Sequence, residues 1–262
     1  MRILIVGDAV GRPGRDALKH VLPDLRKERD IHFIIANGEN SAAGKGITRS
    51  TADDMLKATV DAITTGNHVW DNKDIFNFIK DEPRVIRPAN FPPDPVVPGK
   101  GSAIFSIPNT PFRVGVVNVM GRVMMAPIDC PFRAVRGIVD ELRKETPIIF
   151  VDFHAEATSE KVAMGWYLDG DVSCVFGTHT HVPTADERLL PKGTAYITDI
   201  GMTGAFDSVI GMKLESVMDR FLYNLPTRGE VAEKNVKLSG ALVTVDPTTG
   251  KARGIERVLL QA

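Results

Sequence analysis

Carboxylate, carboxamide and imidazole side chains follow short apolar runs at several places in this sequence. They are Asp8, Glu39 with Asn40, Asn67 with His68, His154, and the pair His179 and His181. These side-chain types together suit borderline ions such as Mn, Fe, Zn or Co better than a purely soft or a purely hard ion. His179 and His181 are the most informative pair, because alternate residues of an extended segment can turn to one side. The residue types therefore predict a metal site.

Each of these residues, taken singly, also has an ordinary structural explanation. An acidic residue after a strand is commonly a helix cap, which is the alternative for Asp8. A loop histidine commonly hydrogen-bonds the backbone, which is the alternative for His68, although histidine also titrates in the range that suits proton transfer. His20 and His32 lack polar neighbours in the sequence, and we interpret them as surface or core histidines. The metal interpretation depends on whether the fold brings the set together.

The runs that precede these residues have the composition of parallel β-strands. Ile3–Val6, His32–Ala36 and Ala62–Thr65 are almost continuously apolar, as expected of strands covered on both faces. Asp16–Arg26 and Thr51–Val60 between them have helical spacing of apolar residues. This is a βαβ rhythm, and ligand sites in such sheets form at the C-terminal ends of the strands. We therefore expect the polar residues to converge on one cleft.

The second half of the chain continues with short strands and one further helix. The predicted elements are a loop at Pro83–Pro98, an antiparallel pair Ser102–Ile107 and Phe112–Val119, a helix Ile138–Arg143, strands Pro147–Phe153, Val172–Gly177 and Thr194–Asp199, and a terminal hairpin of Gly240–Val245 with Ile255–Leu260. No repeat, low-complexity tract or linker interrupts them. We expect an α/β fold with one domain, residues 1–262, in which two stacked mixed sheets are flanked by helices.

Composition excludes several classes of protein. The chain has 262 residues with 43% hydrophobic and 25% charged residues, typical of a globular protein, and its net charge is −1. No overall positive field would attract long nucleic acid or anionic lipid. Cys130 and Cys174 match neither a disulfide framework nor a zinc motif, and no segment has the length of a signal or membrane sequence. We expect a cytoplasmic protein without membrane association.

The ordered set of polar blocks resembles the five motif blocks of calcineurin-like metallophosphoesterases. The blocks are Asp8, Gly38-Glu39-Asn40, Gly66-Asn67-His68, His154 and Gly177-Thr178-His179-Thr180-His181. The sequence departs from the usual pattern at Val10, at Glu39 and at Thr178, where the superfamily commonly has His, Asp and His. These departures, with Gly-Asn-His-Val-Trp-Asp in the third block, resemble the bacterial YmdB-like branch. The resemblance covers nearly the whole chain.

The resemblance implies a four-layer αββα sandwich with a dinuclear centre of two transition-metal ions, Fe and/or Mn. In the implied centre Glu39 bridges the two ions. The remaining ligands would be Asp8, Asn40 and His181 at one ion and Asn67, His154 and His179 at the other. His68 would be the general acid that protonates the leaving alcohol. Asp71 either orients His68 or caps a helix through Ile75–Ile79, and we favour the cap.

The function implied by the resemblance is hydrolysis of small phosphodiesters, in particular 2′,3′-cyclic nucleotides. A phosphomonoesterase acting on nucleotides or phosphoproteins would use the same metals and remains an alternative. A regulatory protein that binds a nucleotide or RNA is the alternative from another class. We expect a small phosphodiester or cyclic nucleotide as partner, no stable binding of long nucleic acid, and a homo-oligomer.

Overall fold

The computed structural model describes all residues from 1 to 262. Its strands are β1 (Arg2–Val6), β2 (Asp8–Ala9), β3 (Phe33–Asn37), β4 (Ala62–Thr64), β5 (Val85–Ile86), β6 (Ser102–Ser106), β7 (Arg113–Met120), β8 (Ile149–His154), β9 (Cys174–Thr178), β10 (Arg188–Leu189), β11 (Ala195–Ile197), β12 (Met202–Ala205), β13 (Val236–Val245) and β14 (Ala252–Gln261). Its helices are α1 (Gly11–Glu28), α2 (Arg49–Lys57), α3 (Pro131–Leu142), α4 (Thr158–Tyr167) and α5 (Leu214–Tyr223), with a 3-10 helix at Lys73–Asn77.

The strands form two mixed sheets. The first sheet has eight strands. Seven of them lie in the order β2-β12-β13-β1-β3-β4-β5, and the eighth, β14, pairs with β13. Within it β1, β3, β4 and β5 are parallel, whereas β13 is antiparallel to β1 and β14. The second sheet has six strands in the order β10-β11-β9-β8-β7-β6, and its four inner strands are parallel. Parallel neighbours bring their C-terminal ends to one edge, which is where the polar residues lie.

Alternation along the strands divides the apolar residues among three layers of core. In β1, Ile3 and Ile5 face the second sheet and pack with residues such as Phe150, whereas Leu4 and Val6 face the opposite way. Leu4 and Val6 share a cluster with α1 and α2, and the outer face of the second sheet packs on α3 and α4. The result is helix, sheet, sheet, helix, which confirms the predicted fold class.

Most of the predicted strands and helices are confirmed with small differences in length. The helix predicted at Asp16–Arg26 extends over Gly11–Glu28, and the one predicted at Thr51–Val60 spans Arg49–Lys57 behind a capping box of Thr48 and Thr51. The Pro83–Pro98 loop contains the short strand β5, which pairs with β4. The predicted terminal hairpin is present, and its first strand lies inside the first sheet.

Three parts of the helix assignment were wrong or incomplete. The helix predicted at Ile138–Arg143 begins earlier, at Pro131, where proline suits the first turn because it needs no N–H donor there. Helices α4 and α5 were not predicted. Asp71 does not cap the next helix: Asn72 does, by accepting a hydrogen bond from the N–H of Asp74.

None of the helices has both the length and the apolar character needed to cross a membrane.

Candidate metal centre

The predicted residues lie where the strands of both sheets end. Asp8 follows β1, Glu39 and Asn40 follow β3, and Asn67 follows β4 by a short turn. The second sheet contributes His154 at the end of β8, and His179 with His181 directly after β9. Oxygen and nitrogen atoms of Glu39, His154 and His179 all lie within 4.8 Å of one another. The structure thus brings the two halves of the predicted set to one place.

The hydrogen bonds of His154 determine which of its nitrogens carries a lone pair. Thr178 donates its only hydroxyl proton to Oδ1 of Asp152 at 2.6 Å, so it accepts from Nδ1 of His154 at 2.9 Å. Nε2 of His154 is then unprotonated. It lies 2.9 Å from Oδ1 of Asn67 and 3.0 Å from Oε1 of Glu39, which are also acceptors.

His179 lies against this group. Its Nδ1 is 3.1 Å from Nε2 of His154, and its Nε2 is 3.1 Å from Oε2 of Glu156. Three acceptor atoms, from Asn67, Glu39 and His154, therefore meet next to the ring of His179, an arrangement that fits a metal cation.

Asp8, Asn40 and His181 supply further oxygen and nitrogen atoms next to the first group. Asp8 accepts a hydrogen bond from the N–H of His179 at 3.4 Å, and Asn40 directly follows Glu39. Oδ1 of Asp8 and Oδ1 of Asn40 are buried and have no hydrogen-bond partner. Nε2 of His181 lies 3.8 Å from Oδ1 of Asp8, while its Nδ1 is 2.9 Å from the carbonyl of Ile210 and donates to it. Buried polar atoms are normally paired, so these orphaned oxygens also fit a bound cation.

Burial sets the ionisation of the four central titratable groups. Desolvation raises the pKa of Asp8 to about 7 and that of Glu39 to about 7, because the interior penalises a negative charge. It lowers the pKa of His154 and of His179 to about 3, so both imidazoles are neutral and can donate a lone pair. A divalent cation would supply the positive charge that two buried carboxylates need.

His68 differs from the other histidines in its contacts. Its backbone N–H donates to Oε2 of Glu39 at 2.9 Å, which fixes the start of the turn. Its ring is 24% exposed and lies on the cavity wall, with Nδ1 2.8 Å from Oδ2 of Asp71. Asp71 therefore orients His68, which is the alternative that the sequence analysis did not favour. The ring forms no hydrogen bond with the acceptor group and lines the cavity, where a ligand can reach it.

Gly66 allows these side chains to approach one another. A Cβ at this position would lie 2.2 Å from the ring of His154 and 2.5 Å from Oε2 of Glu39. Any side chain here would push both groups away from their present positions. The glycine that precedes Asn67 is therefore a requirement of the cluster.

Several residues of the site were not assigned a role from the sequence. Asp152 lies two positions before His154 in β8. Strand alternation places both side chains on one face, and this pattern could have identified Asp152 as part of the site. Thr178 connects the two, and Oε2 of Glu156 contacts His179. The buried pair of Lys161 and Asp199 had no signal, because their contact joins α4 to a distant strand end.

The cluster opens into a cavity of about 670 Å³, a volume typical of small-molecule sites. One wall carries predicted site residues: Glu39, Asn40, His68, His179 and His181. Asp8, Asn67 and His154 are not among the residues that line the cavity. The other wall consists of α5 and the segment 227–229. No sequence signal assigned this second wall to the site.

Solved structures share this architecture over the whole chain. A hypothetical protein from Thermus thermophilus superposes with a TM-score of 0.92 at 40% identity, covering 100% of this chain and 99% of that one. A novel phosphatase from Mycoplasma pneumoniae superposes with a TM-score of 0.91 at 34% identity, covering 100% and 93%. The fold is the calcineurin-like sandwich of two mixed sheets between helices.

Sequence comparison identifies the family more closely. The profile of the family described as YmdB-like protein matches residues 4–258. The 2′,3′-cyclic-nucleotide 2′-phosphodiesterase of Bacillus subtilis (strain 168) is 52% identical over 260 residues, which cover 99% of this chain and 97% of that relative. The chain belongs to the YmdB-like family.

Proposed function

We propose that this protein is a metal-dependent phosphodiesterase that hydrolyses 2′,3′-cyclic nucleotides. The observation that carries the proposal is the convergence of Glu39, Asn67, His154 and His179 next to a ligand-sized cavity that Glu39 and His179 line. The 52% identity to a relative named for that activity, over nearly the full length of both chains, supports the choice of substrate.

The residues that would hold the metals divide into two sets that share one carboxylate. Asn67, His154 and His179 form one set, and Asp8, Asn40 and His181 form the other. Glu39 lies in direct contact with the first set and would bridge the two. Two bound ions would activate water and neutralise the charge that develops on the phosphoryl oxygens. The sulfur-free donor set agrees with Mn or Fe, the ions we propose.

His68 would supply the proton for the leaving oxygen. Its Nδ1 faces the carboxylate of Asp71 at 2.8 Å, which directs the other ring nitrogen away from that contact. The backbone N–H of His68 donates to Glu39, which holds the backbone at this position next to the metal-binding residues. If the bond to the 2′ oxygen is the one cleaved, His68 protonates that oxygen and the product is a 3′-phosphate.

We further propose that the protein works in the cytoplasm as a homo-oligomer and that the whole chain forms one domain. Cys130 and Cys174 are both free thiols, which agrees with a reducing compartment. Size-exclusion chromatography with light scattering tests the oligomeric state directly.

Product analysis with 2′,3′-cyclic AMP tests the proposed reaction. We expect the wild-type protein with Mn to release 3′-AMP and the His68→Ala variant to release it far more slowly. His20→Ala is the matched control, because His20 is exposed on α1 and lies outside the cavity. Release of the product by both variants at the wild-type rate would contradict the role of His68. Faster hydrolysis of 3′-AMP than of the cyclic nucleotide would indicate a phosphomonoesterase instead.

A further inference from the structure

The cavity is lined by basic side chains without acidic partners, most of them on its second wall. Arg220 on α5, Arg228 after it and Lys45 after β3 all line the cavity, and none of them forms an ion pair with a carboxylate. The neighbouring Lys213, which does not line the cavity, is paired with Glu230 at 3.0 Å. Since the net charge of the chain is −1, this local group is not a consequence of a basic composition.

An exposed aromatic ring accompanies these charges. Phe221 follows Arg220 on α5, lines the same cavity and is 70% exposed. Helix α5 has no buried residue, so its apolar side chains make little contribution to the core. An aromatic face beside arginine is the combination on which nucleotide bases stack. The wall therefore has the chemistry to bind a nucleotide and not only an inorganic anion.

Hydrogen bonds attach this wall to the metal-binding residues. Nδ1 of His181 donates to the carbonyl of Ile210, a few residues before α5. The N–H of Glu230 donates to Oγ of Ser216 at 3.1 Å, and the N–H of Lys213 donates to the carbonyl of Glu230 at 2.8 Å. These contacts join the segment that carries Arg228 to the helix that carries Arg220. The two arginines are thus held on one surface of the cavity.

We infer that Arg220 and Arg228 form a second phosphate subsite, so that the preferred substrate is a cyclic nucleotide that carries another phosphate. This inference rests on the proposed function. A simple 2′,3′-cyclic mononucleotide has one phosphate, and the metal-binding residues would hold it, which leaves no anionic group for the unpaired cations. Arginine pairs with phosphate through two parallel hydrogen bonds, and Lys45 adds a third positive charge.

The second phosphate has two possible chemical sources, which one set of substrates distinguishes. It is either a 5′-phosphate on the same nucleotide or the internucleotide phosphate at the end of a short RNA. We would compare kcat/KM for 2′,3′-cyclic AMP, its 5′-phosphorylated form, and a diadenosine dinucleotide ending in a 2′,3′-cyclic phosphate. We expect kcat/KM for at least one of the latter two substrates to exceed kcat/KM for cyclic AMP by about tenfold or more. Hydrogen bonds to charged groups contribute enough free energy for such a difference. The better of the two identifies the source.

Variants assign the preference to the arginines. In the double variant Arg220→Ala and Arg228→Ala we expect the ratio of kcat/KM for the better substrate to kcat/KM for cyclic AMP to fall close to one. Added salt should lower the ratio in the wild type and leave it unchanged in the double variant. Arg133→Ala is the matched control, because Arg133 is an exposed helical arginine outside the cavity, and it should keep the wild-type ratio. The ratio uses cyclic AMP as an internal reference, so partial loss of folded protein does not affect it.

Each failure has a distinct meaning. Hydrolysis of all three substrates with equal kcat/KM would overturn the subsite while leaving the proposed function intact. A preference that persists in the double variant would also overturn it. Absence of hydrolysis of all three substrates would overturn the proposed function and the subsite together.

Discussion

Lys161 and Asp199 form a buried ion pair that supports the loop carrying His179 and His181. Nζ of Lys161 lies 2.6 Å from Oδ2 of Asp199, and the same oxygen accepts from the hydroxyl of Thr180 at 2.7 Å. Thr180 separates His179 and His181, whose φ angles are 95° and 64°. L residues adopt positive φ mainly where the surroundings impose it. The ion pair therefore helps to hold both histidines in an otherwise unfavourable backbone conformation.

Removal of Lys161 should destabilise the protein strongly. Lys161→Met leaves the buried charge of Asp199 unpaired, and we expect the free energy of unfolding to fall by about 3–5 kcal/mol. Urea denaturation measures this. The double variant Lys161→Met and Asp199→Asn removes both charges and should recover part of the loss. Equal stability of Lys161→Met and the wild type would show that the pair does not support the loop.

Thr178→Val should weaken metal binding without removing any predicted ligand. The change breaks the connection from Asp152 to Nδ1 of His154, which selects the tautomer with a lone pair on Nε2. Loss of such a supporting hydrogen bond typically costs 10 to 100-fold in metal affinity. Metal titration followed by calorimetry measures the change, and Thr178→Ser, which keeps the hydroxyl, should bind as the wild type does. Unchanged affinity in Thr178→Val would contradict this assignment.

Gly66→Ala should reduce metal content although it adds only one methyl group. The new Cβ would overlap the ring of His154 and Oε2 of Glu39. Gly137→Ala is the matched control, because a Cβ there meets nothing within 4 Å and alanine stabilises a helix relative to glycine by roughly 0.5–1 kcal/mol. Elemental analysis of the purified proteins makes the comparison. Wild-type metal content in Gly66→Ala would show that the cluster is looser than described.

His68→Ala should lower the rate and leave the metal content unchanged. General acid catalysis contributes about 10² to 10⁴-fold, and the ring of His68 forms no hydrogen bond with the group of acceptor atoms. His154→Ala removes one of those acceptors, so it should lose metal and rate together. Parallel measurement of metal content and turnover separates the two roles. Metal loss in His68→Ala comparable to that in His154→Ala would mean that His68 is itself a ligand.

The convergence of the site residues could be predicted because ligand sites in parallel sheets form at the C-terminal ends of the strands. Continuous apolar runs such as Ile3–Val6 indicated parallel strands, and the residues after them, from Asp8 to His181, lie at the C-terminal ends of strands of both sheets. The motif resemblance then ordered these residues into two groups. The structure brings Asn67, His154 and His179 together and places His181 beside Asp8, while the division into two sets of ligands stays a prediction.

The missed features depend on contacts between segments distant in the sequence. Helix α4 contains Gly165, which is unfavourable in a helix interior and is explained by close packing against Tyr196. Helix α5 buries no residue, so no core-facing stripe identified it or placed Arg220 beside the site. Asp71 was taken for a cap because a polar residue before a helix commonly is one. The neighbouring Asn72 fills that position, and Asp71 is left to contact His68.

The most direct test of the account is metal analysis of protein purified without chelator, combined with turnover of bis-p-nitrophenyl phosphate before and after metal removal. We expect about two transition-metal ions per chain, as two-metal phosphoesterase chemistry requires, with activity lost on stripping and restored by Mn or Fe. Protein that turns over this substrate at the same rate after complete metal removal would contradict a metal-dependent mechanism. So would protein that binds no Mn or Fe at all.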